Sequence, residues 1–147
     1  LCQTEWASLL DSDDLWLPSK LEKQAPLTET YDVIGTQCFY FGTGLTTGMP
    51  NQPQLPLGDI NPLSFFDNNP IINSSAVFKA SDGNWDPLVE GVEDYDMWLR
   101  LNKEKKTFYN IGEALCLHRL HQQSSFNTRD FSRTINSIKT KWKIPTS

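Results

Sequence analysis

The sequence predicts an α/β domain, and three stretches carry that prediction. "WASLL", Trp6 to Leu10, is a short unbroken apolar run, and "YDVIGTQCFYF", Tyr31 to Phe41, is rich in β-branched and aromatic residues, so both read as strands. "EDYDMWLRLNKEKK", beginning at Glu93, spaces its apolar residues as a helix does. At 147 residues the chain is long enough for one domain with a real core and too short for two comfortable ones.

Taken in order, the "WASLL" strand reads as buried and ends in Asp11, Asp13 and Asp14, three aspartates in four positions. "LPSKLEKQ" then reads as a helix start, with Pro18 suited to the first turn and Ser19 followed by Glu22 as a capping box. After the Tyr31 to Phe41 strand, residues 42–70 concentrate glycine, proline and asparagine, which predicts a long surface loop or a hairpin, placed to cover a bound substrate. "IINSSAVFK", Ile71 to Lys79, returns to strand composition, and "SDGNWDP" reads as a turn. In the helix that follows, Tyr95, Trp98, Leu99 and Leu101 pack inward, and Lys103, Lys105 and Lys106 close the last turn against the helix dipole. "TFYNIGEALCLHRLH" reads as two short strands joined at Gly112. "RDFSRTINSIKTKWK" reads as a terminal amphipathic helix with Phe131, Ile135, Ile138 and Trp142 on one side. The predicted boundary falls between residues 1–128 and a basic helical tail, 129–147.

Composition narrows the function classes. With 38% hydrophobic and 21% charged residues, and no apolar run of membrane-spanning length, the chain reads as an ordinary globular protein. A net charge of -5 argues against nucleic acid, whose phosphates need clustered Lys and Arg. The basic stretch from Arg129 to Lys143 is too short to reverse this; it is expected to pack on the domain with its lysines solvated, peripheral contact with anionic lipid at the inner face of a membrane being the alternative. Three widely spaced cysteines form neither a disulfide framework nor a zinc knuckle and suggest a reducing, cytoplasmic setting.

Three constellations point to chemistry. Clustered aspartates at a strand end repel one another unless a cation neutralises them, and a D-x-D supplies the one or two carboxylates that a hard cation such as Mg²⁺ or Mn²⁺ takes alongside substrate phosphates. An EF-hand loop counted from Asp11 would put Glu22 at its twelfth position, but Trp16 stands where that loop needs glycine. A solvated acidic turn capping the next helix is the alternative reading. Glu93 and Asp94 head a helix, where carboxylates ordinarily cap; an ionised Asp94 within reach of a substrate hydroxyl is instead a general base. In "LHRLHQQSS", alternation puts Arg119 and His121 on one face, away from His118, and there they are a candidate phosphate ligand and metal ligand or simply structural.

In this order, "ASLLDSDDLWLPSKLEKQ", "INSSAVFKASDGNWDPLVEGVEDYDMWLRL" and "IGEALCLHRLHQQSS" resemble the catalytic half of a family 2 glycosyltransferase of the GT-A fold, from about Thr4 to about Ser125. The resemblance implies a mixed sheet flanked by helices, truncated at its N-terminus. It implies that Asp11, Ser12 and Asp13 meet the diphosphate of a nucleotide-sugar through Mn²⁺ or Mg²⁺, that Arg119 and His121 close on the same group, and that Asp94 deprotonates the hydroxyl of a glycan, lipid-linked or other acceptor. Glu93, Asn73, Ser74 and Trp98 would line the acceptor side, and the sugar would be transferred in one displacement with inversion. Where many relatives have Trp-Gly-Gly before the E-D pair, this sequence has "EGVED" and keeps only Gly91. The family's first strand, base-binding loop and early D-D motif would lie before Leu1. A chain starting there is expected to bind donor weakly, to transfer no sugar alone and to self-associate through its first strand. The competing expectation is a non-catalytic remnant or carbohydrate-binding fragment.

Overall fold

The computed structural model describes residues 2–122 and 129–143. The end of the third motif, Gln123 to Ser125, and the boundary expected at residue 128 lie outside the described residues.

Six strands form one mixed sheet with helices against it: β1 (Trp6–Ser8), β2 (Leu15–Trp16), β3 (Val33–Phe41), β4 (Gly58–Asp59), β5 (Val77–Lys79) and β6 (Phe108–Arg119). Their order is β1-β5-β3-β6-β2, with β4 also pairing β6. Only β3 and β6 run parallel; every other pairing is antiparallel. The helices are α1 (Lys20–Gln24), α2 (Ser64–Asp67), α3 (Glu93–Lys103) and α4 (Ser132–Lys141).

The core follows from the apolar period of α3. Tyr95, Trp98, Leu99 and Leu101 are buried as expected, and Met97 joins them, packed with Val33 of β3, Phe78 of β5 and Phe108 of β6. Trp98 makes edge contacts with Phe78 and Phe108 at ring-centroid distances of 5.6 and 6.5 Å, a geometry that the aromatic quadrupoles favour. From α4, Ile138 is buried in this cluster, and Phe131, Ile135 and Trp142 pack against it.

Several elements differ from expectation. β1 is a half-buried edge strand, antiparallel to β5, because nothing pairs with its outer side among the described residues. Ser19 precedes α1 but makes no side-chain capping bond. The long loop forms no hairpin: its one short strand, β4, pairs with β6. Residues Asn73–Ser75 form a 3₁₀ turn and only Val77–Lys79 are strand, since the Asn-Ser-Ser hydroxyls and amide satisfy local backbone and the neighbouring aspartates. Lys105 and Lys106 lie beyond the end of α3, where Lys105 turns to φ 63°. Gly112 does not divide two strands. It sits in an irregularity of one long strand, where the partners of Thr36 and Gln37 jump from Ile111 to Ala114. The unbroken run matters, because it carries His118 and Arg119 to the edge where the aspartates stand.

Candidate functional site

The acidic cluster is a tight turn between β1 and β2, closed by the Asp14 amide donating to the Asp11 carbonyl at 3.0 Å. β2 pairs with β6 so that Leu15 faces Leu117. One residue further along the same register, Asp14 comes opposite His118, and one further still Asp13 comes opposite Arg119. Sheet pairing therefore assembles the first and third motifs, about a hundred residues apart in sequence.

The three aspartates have different roles. Asp14 is buried; its Oδ2 accepts from the Ser74 hydroxyl at 2.6 Å and meets His118 Nδ1 at 2.9 Å, and its Oδ1 accepts from the Arg119 amide at 2.9 Å. Burial alone would raise its pKa, but the bonds from His118, Ser74 and Arg119 outweigh burial and hold it below the usual carboxylate value. The same bond outweighs burial at His118 and raises its pKa. Asp14 is thus an internal tie, while Asp13 and Asp11 face outward. Asp13 Oδ2 lies 2.9 Å from His121 Nε2, both side chains are about two-fifths exposed, and Arg119 Nε donates to the Asp13 carbonyl at 3.1 Å. The Arg119 guanidinium stacks 4.2 Å from the centre of the Phe41 ring, which fixes its direction. Asp11 is exposed and accepts from Asn73 Nδ2 at 2.9 Å; exposed Ser12 stands at the tip. Among the described residues no cluster of three or more His, Cys, Asp and Glu side chains closes on a single point.

Asp94, half-buried in the first turn of α3, accepts from Asn69 Nδ2 at 2.9 Å. Burial pushes its pKa up to about 6; the Tyr95 amide and Asn69 pull it down, and the charges of Asp11 and Glu93 push it up again. Asn69 bonds Asp94 and Asn73, four residues on, bonds Asp11, so one short segment ties the second motif to the first. Glu93 lines an open groove of about 610 Å³ with Trp85, Asp86, Pro87, Val89 and Glu90.

Two residues expected on the acceptor side belong elsewhere. Trp98 is fully buried in the core cluster, because its face of α3 packs on the sheet. Ser74 is fully buried too, its hydroxyl donating to Asp14 and accepting from the Asp11 amide at 3.0 Å. Lys20 and Asn69 also belong to the site, and Trp16 has a part in it beyond its place in the turn sequence. Lys20 is completely buried behind the turn, with Nζ 3.2 Å from Ser8 Oγ and 4.2 Å from the centre of the Trp16 ring, and burial drops its pKa to about 8. Trp16 Nε1 donates to the Ser74 carbonyl at 2.7 Å. A lysine at the start of a short amphipathic helix carries no local sign of burial. Asn69, in a proline- and asparagine-rich loop, carries no sign of a partner 25 residues away.

Fold and site together define an α/β protein with an acidic, histidine-flanked turn at a sheet edge and a carboxylate of raised pKa beside it. No family model matches the chain. Over 133 residues, 86% of its length, it is 29% identical to a protein of Bacillus subtilis (strain 168) described as "Putative glycosyltransferase EpsE", of which the match covers 47%. The chain thus spans about half the length of the curated relative it matches.

Proposed function

We propose that this chain forms the catalytic, acceptor-side part of a metal-dependent, inverting glycosyltransferase of family 2, with the GT-A architecture. The observation that carries this reading is the tie between two unlike acidic groups: an outward turn bearing Asp11 and Asp13, and the half-buried Asp94, joined through Asn73 and Asn69 of one short segment. Outward carboxylates at a turn suit cation binding, and a carboxylate whose burial raises its pKa toward neutrality suits proton transfer. The similarity to a protein described as a glycosyltransferase supports sugar transfer as the class of activity.

The donor set fits a hard divalent cation. Asp13 Oδ2 and His121 Nε2 share a hydrogen bond at 2.9 Å, and a cation that took both would replace the proton between them. Asp13 and His121 would hold such a cation, which commonly takes one or two protein side chains alongside substrate phosphates. When bound, the cation neutralises charge on the departing nucleoside diphosphate. Arg119, aimed by Phe41 and by the Asp13 carbonyl, contributes a fixed positive charge to the same leaving group. Asp94 takes the proton of the acceptor hydroxyl, held for that purpose by Asn69, while Glu93 and Asn73 orient the acceptor. Attack from the side of Asp94, opposite the diphosphate, inverts the anomeric carbon.

The test is turnover of the full-length protein on a panel of nucleotide-sugars. Mn²⁺-dependent release of nucleoside diphosphate, with an anomeric centre opposite to the donor's by proton NMR, is the expected result. Retention of configuration, or no release from any donor with or without metal, contradicts the reading.

A further inference from the structure

The loop that walls the groove at Glu93 is pinned to the core by Val89 and Val92 but has few hydrogen bonds of its own between them and Trp85. Residues 84–92 belong to no helix or strand, and the internal bonds of its central part are the Val89 amide to the Asp86 carbonyl at 3.0 Å and the Leu88 amide to Asp86 Oδ1 at 2.9 Å. Three further contacts come from the distant C-terminal segment. Lys141 Nζ lies 2.7 Å from Asp86 Oδ2, Arg129 Nη1 lies 2.8 Å from Glu90 Oε1, and the Phe131 ring lies so close over Gly91 that a Cβ there would come within 2.2 Å of it. Gly91 adopts φ 84°, so glycine is required by both the turn and the ring.

Lys141 differs from the other two because it holds both sides. Its Nζ also lies 3.1 and 3.2 Å from the two oxygens of Asp96. Asp96 is buried on α3, two residues beyond Asp94, and is itself fixed by a 2.8 Å bond from Trp142 Nε1. Lys141 therefore has a rigid anchor on the helix that begins with Glu93 and Asp94, and an arm on the loop that faces them. Burial would lower the amine's pKa, but the bonds to Asp86 and Asp96 outweigh it and hold it above the ordinary lysine value, so the bridge stays charged. On the opposite side Asp86 is held low by the same contact.

The geometry points to Lys141 as a positioning residue for the acceptor: through Asp96 and Asp86 it sets where the Trp85 to Glu90 wall stands relative to Glu93 and Asp94. This rests on the reading of the groove as the acceptor side of a transferase. The C-terminal helix thus determines how well the acceptor is held, without touching donor or reacting atoms.

The experiment uses Lys141→Met, Lys141→Arg and Asp86→Asn in the full-length protein, with two readouts. Amide hydrogen exchange at Leu88 and Val89 reports the loop irrespective of activity, and it should quicken about fivefold or more in Lys141→Met. The KM for acceptor should rise about tenfold with kcat and donor KM within about twofold, because only binding is lost. Lys141→Arg, which keeps the charge and the reach, should restore both. Asp86→Asn leaves the Lys141 and Trp142 bonds to Asp96 in place and should reproduce the effect even where Lys141→Met fails to fold. Unchanged exchange in folded variants, or a fall in kcat at constant acceptor KM, overturns the assignment. Faster exchange in a protein that transfers no sugar at all overturns the transferase reading and leaves the clamp standing.

Discussion

Asp94→Asn is expected to reduce sugar transfer by about 10² to 10⁴-fold while donor binding is retained, since asparagine keeps an oxygen for Asn69 and for the Tyr95 amide but takes no proton at neutral pH. The pH dependence makes the claim specific. With its pKa at about 6, the wild-type base is ionised at neutrality, and kcat/KM should fall on an acid limb centred near that value. In the variant the limb should vanish along with the rate. Stability should move the other way. A carboxyl raised from 3.8 to about 6 binds its proton more tightly folded than unfolded, so its ionisation erodes stability as pH rises across that interval. Replacing it should stabilise the protein at pH 7 by on the order of 2 kcal/mol, and the advantage should disappear below about pH 4. Turnover that survives the substitution would leave Asp94 as a helix cap and no more.

The second large effect is expected at Asp14, in stability rather than turnover. Asp14→Ala leaves the Ser74 hydroxyl, the Arg119 amide and His118 without their shared partner in a buried place, and should cost about 3 kcal/mol. Chemical denaturation should show it as a lower midpoint with an unchanged slope. Asp14 is held below 3.8, so its contribution is present above that pH and is lost as pH falls through the folded value. His118 is raised above 6.5, so its share of the pairing is complete below that pH and fades as pH rises through the folded value. Asp13→Ala, one residue away, should leave stability nearly unchanged, because its half-exposed carboxylate faces outward. Equal destabilisation by the two substitutions would contradict the division of roles.

Local pattern revealed what local forces decide. The Glu93–Lys103 helix was legible because its apolar residues recur at helical spacing and end up in the core, and the Val33–Phe41 strand because β-branched and aromatic residues fill a pleated, buried surface. The meeting of Asp13 with Arg119 and His121 was legible in part, because alternation placed that Arg and His on one face. What escaped depends on partners far along the chain. Nothing in "DSDD" says which aspartate turns inward; the β2–β6 register and Ser74 decide it. "IINSSAVFK" has strand composition, yet the Asn73 amide and the two serine hydroxyls bind Asp11, Asp14 and the Ile72 carbonyl and bend it into a turn. Gly112 marks an irregularity in β6 that only its parallel partner β3 makes visible. Trp98 satisfied both a core pattern and an acceptor role on paper, and packing on Phe78 and Phe108 resolved it in favour of the core.

The most direct test of the metal-assisted donor site is calorimetric titration of the full-length protein with a nucleoside diphosphate, with and without Mn²⁺, in wild type and Asp13→Ala. Binding is expected to require Mn²⁺ in the wild type and to be lost, or weakened about a hundredfold, in a variant that remains folded. Binding that is indifferent to Mn²⁺, or equal in the two proteins, would contradict a metal-assisted donor site.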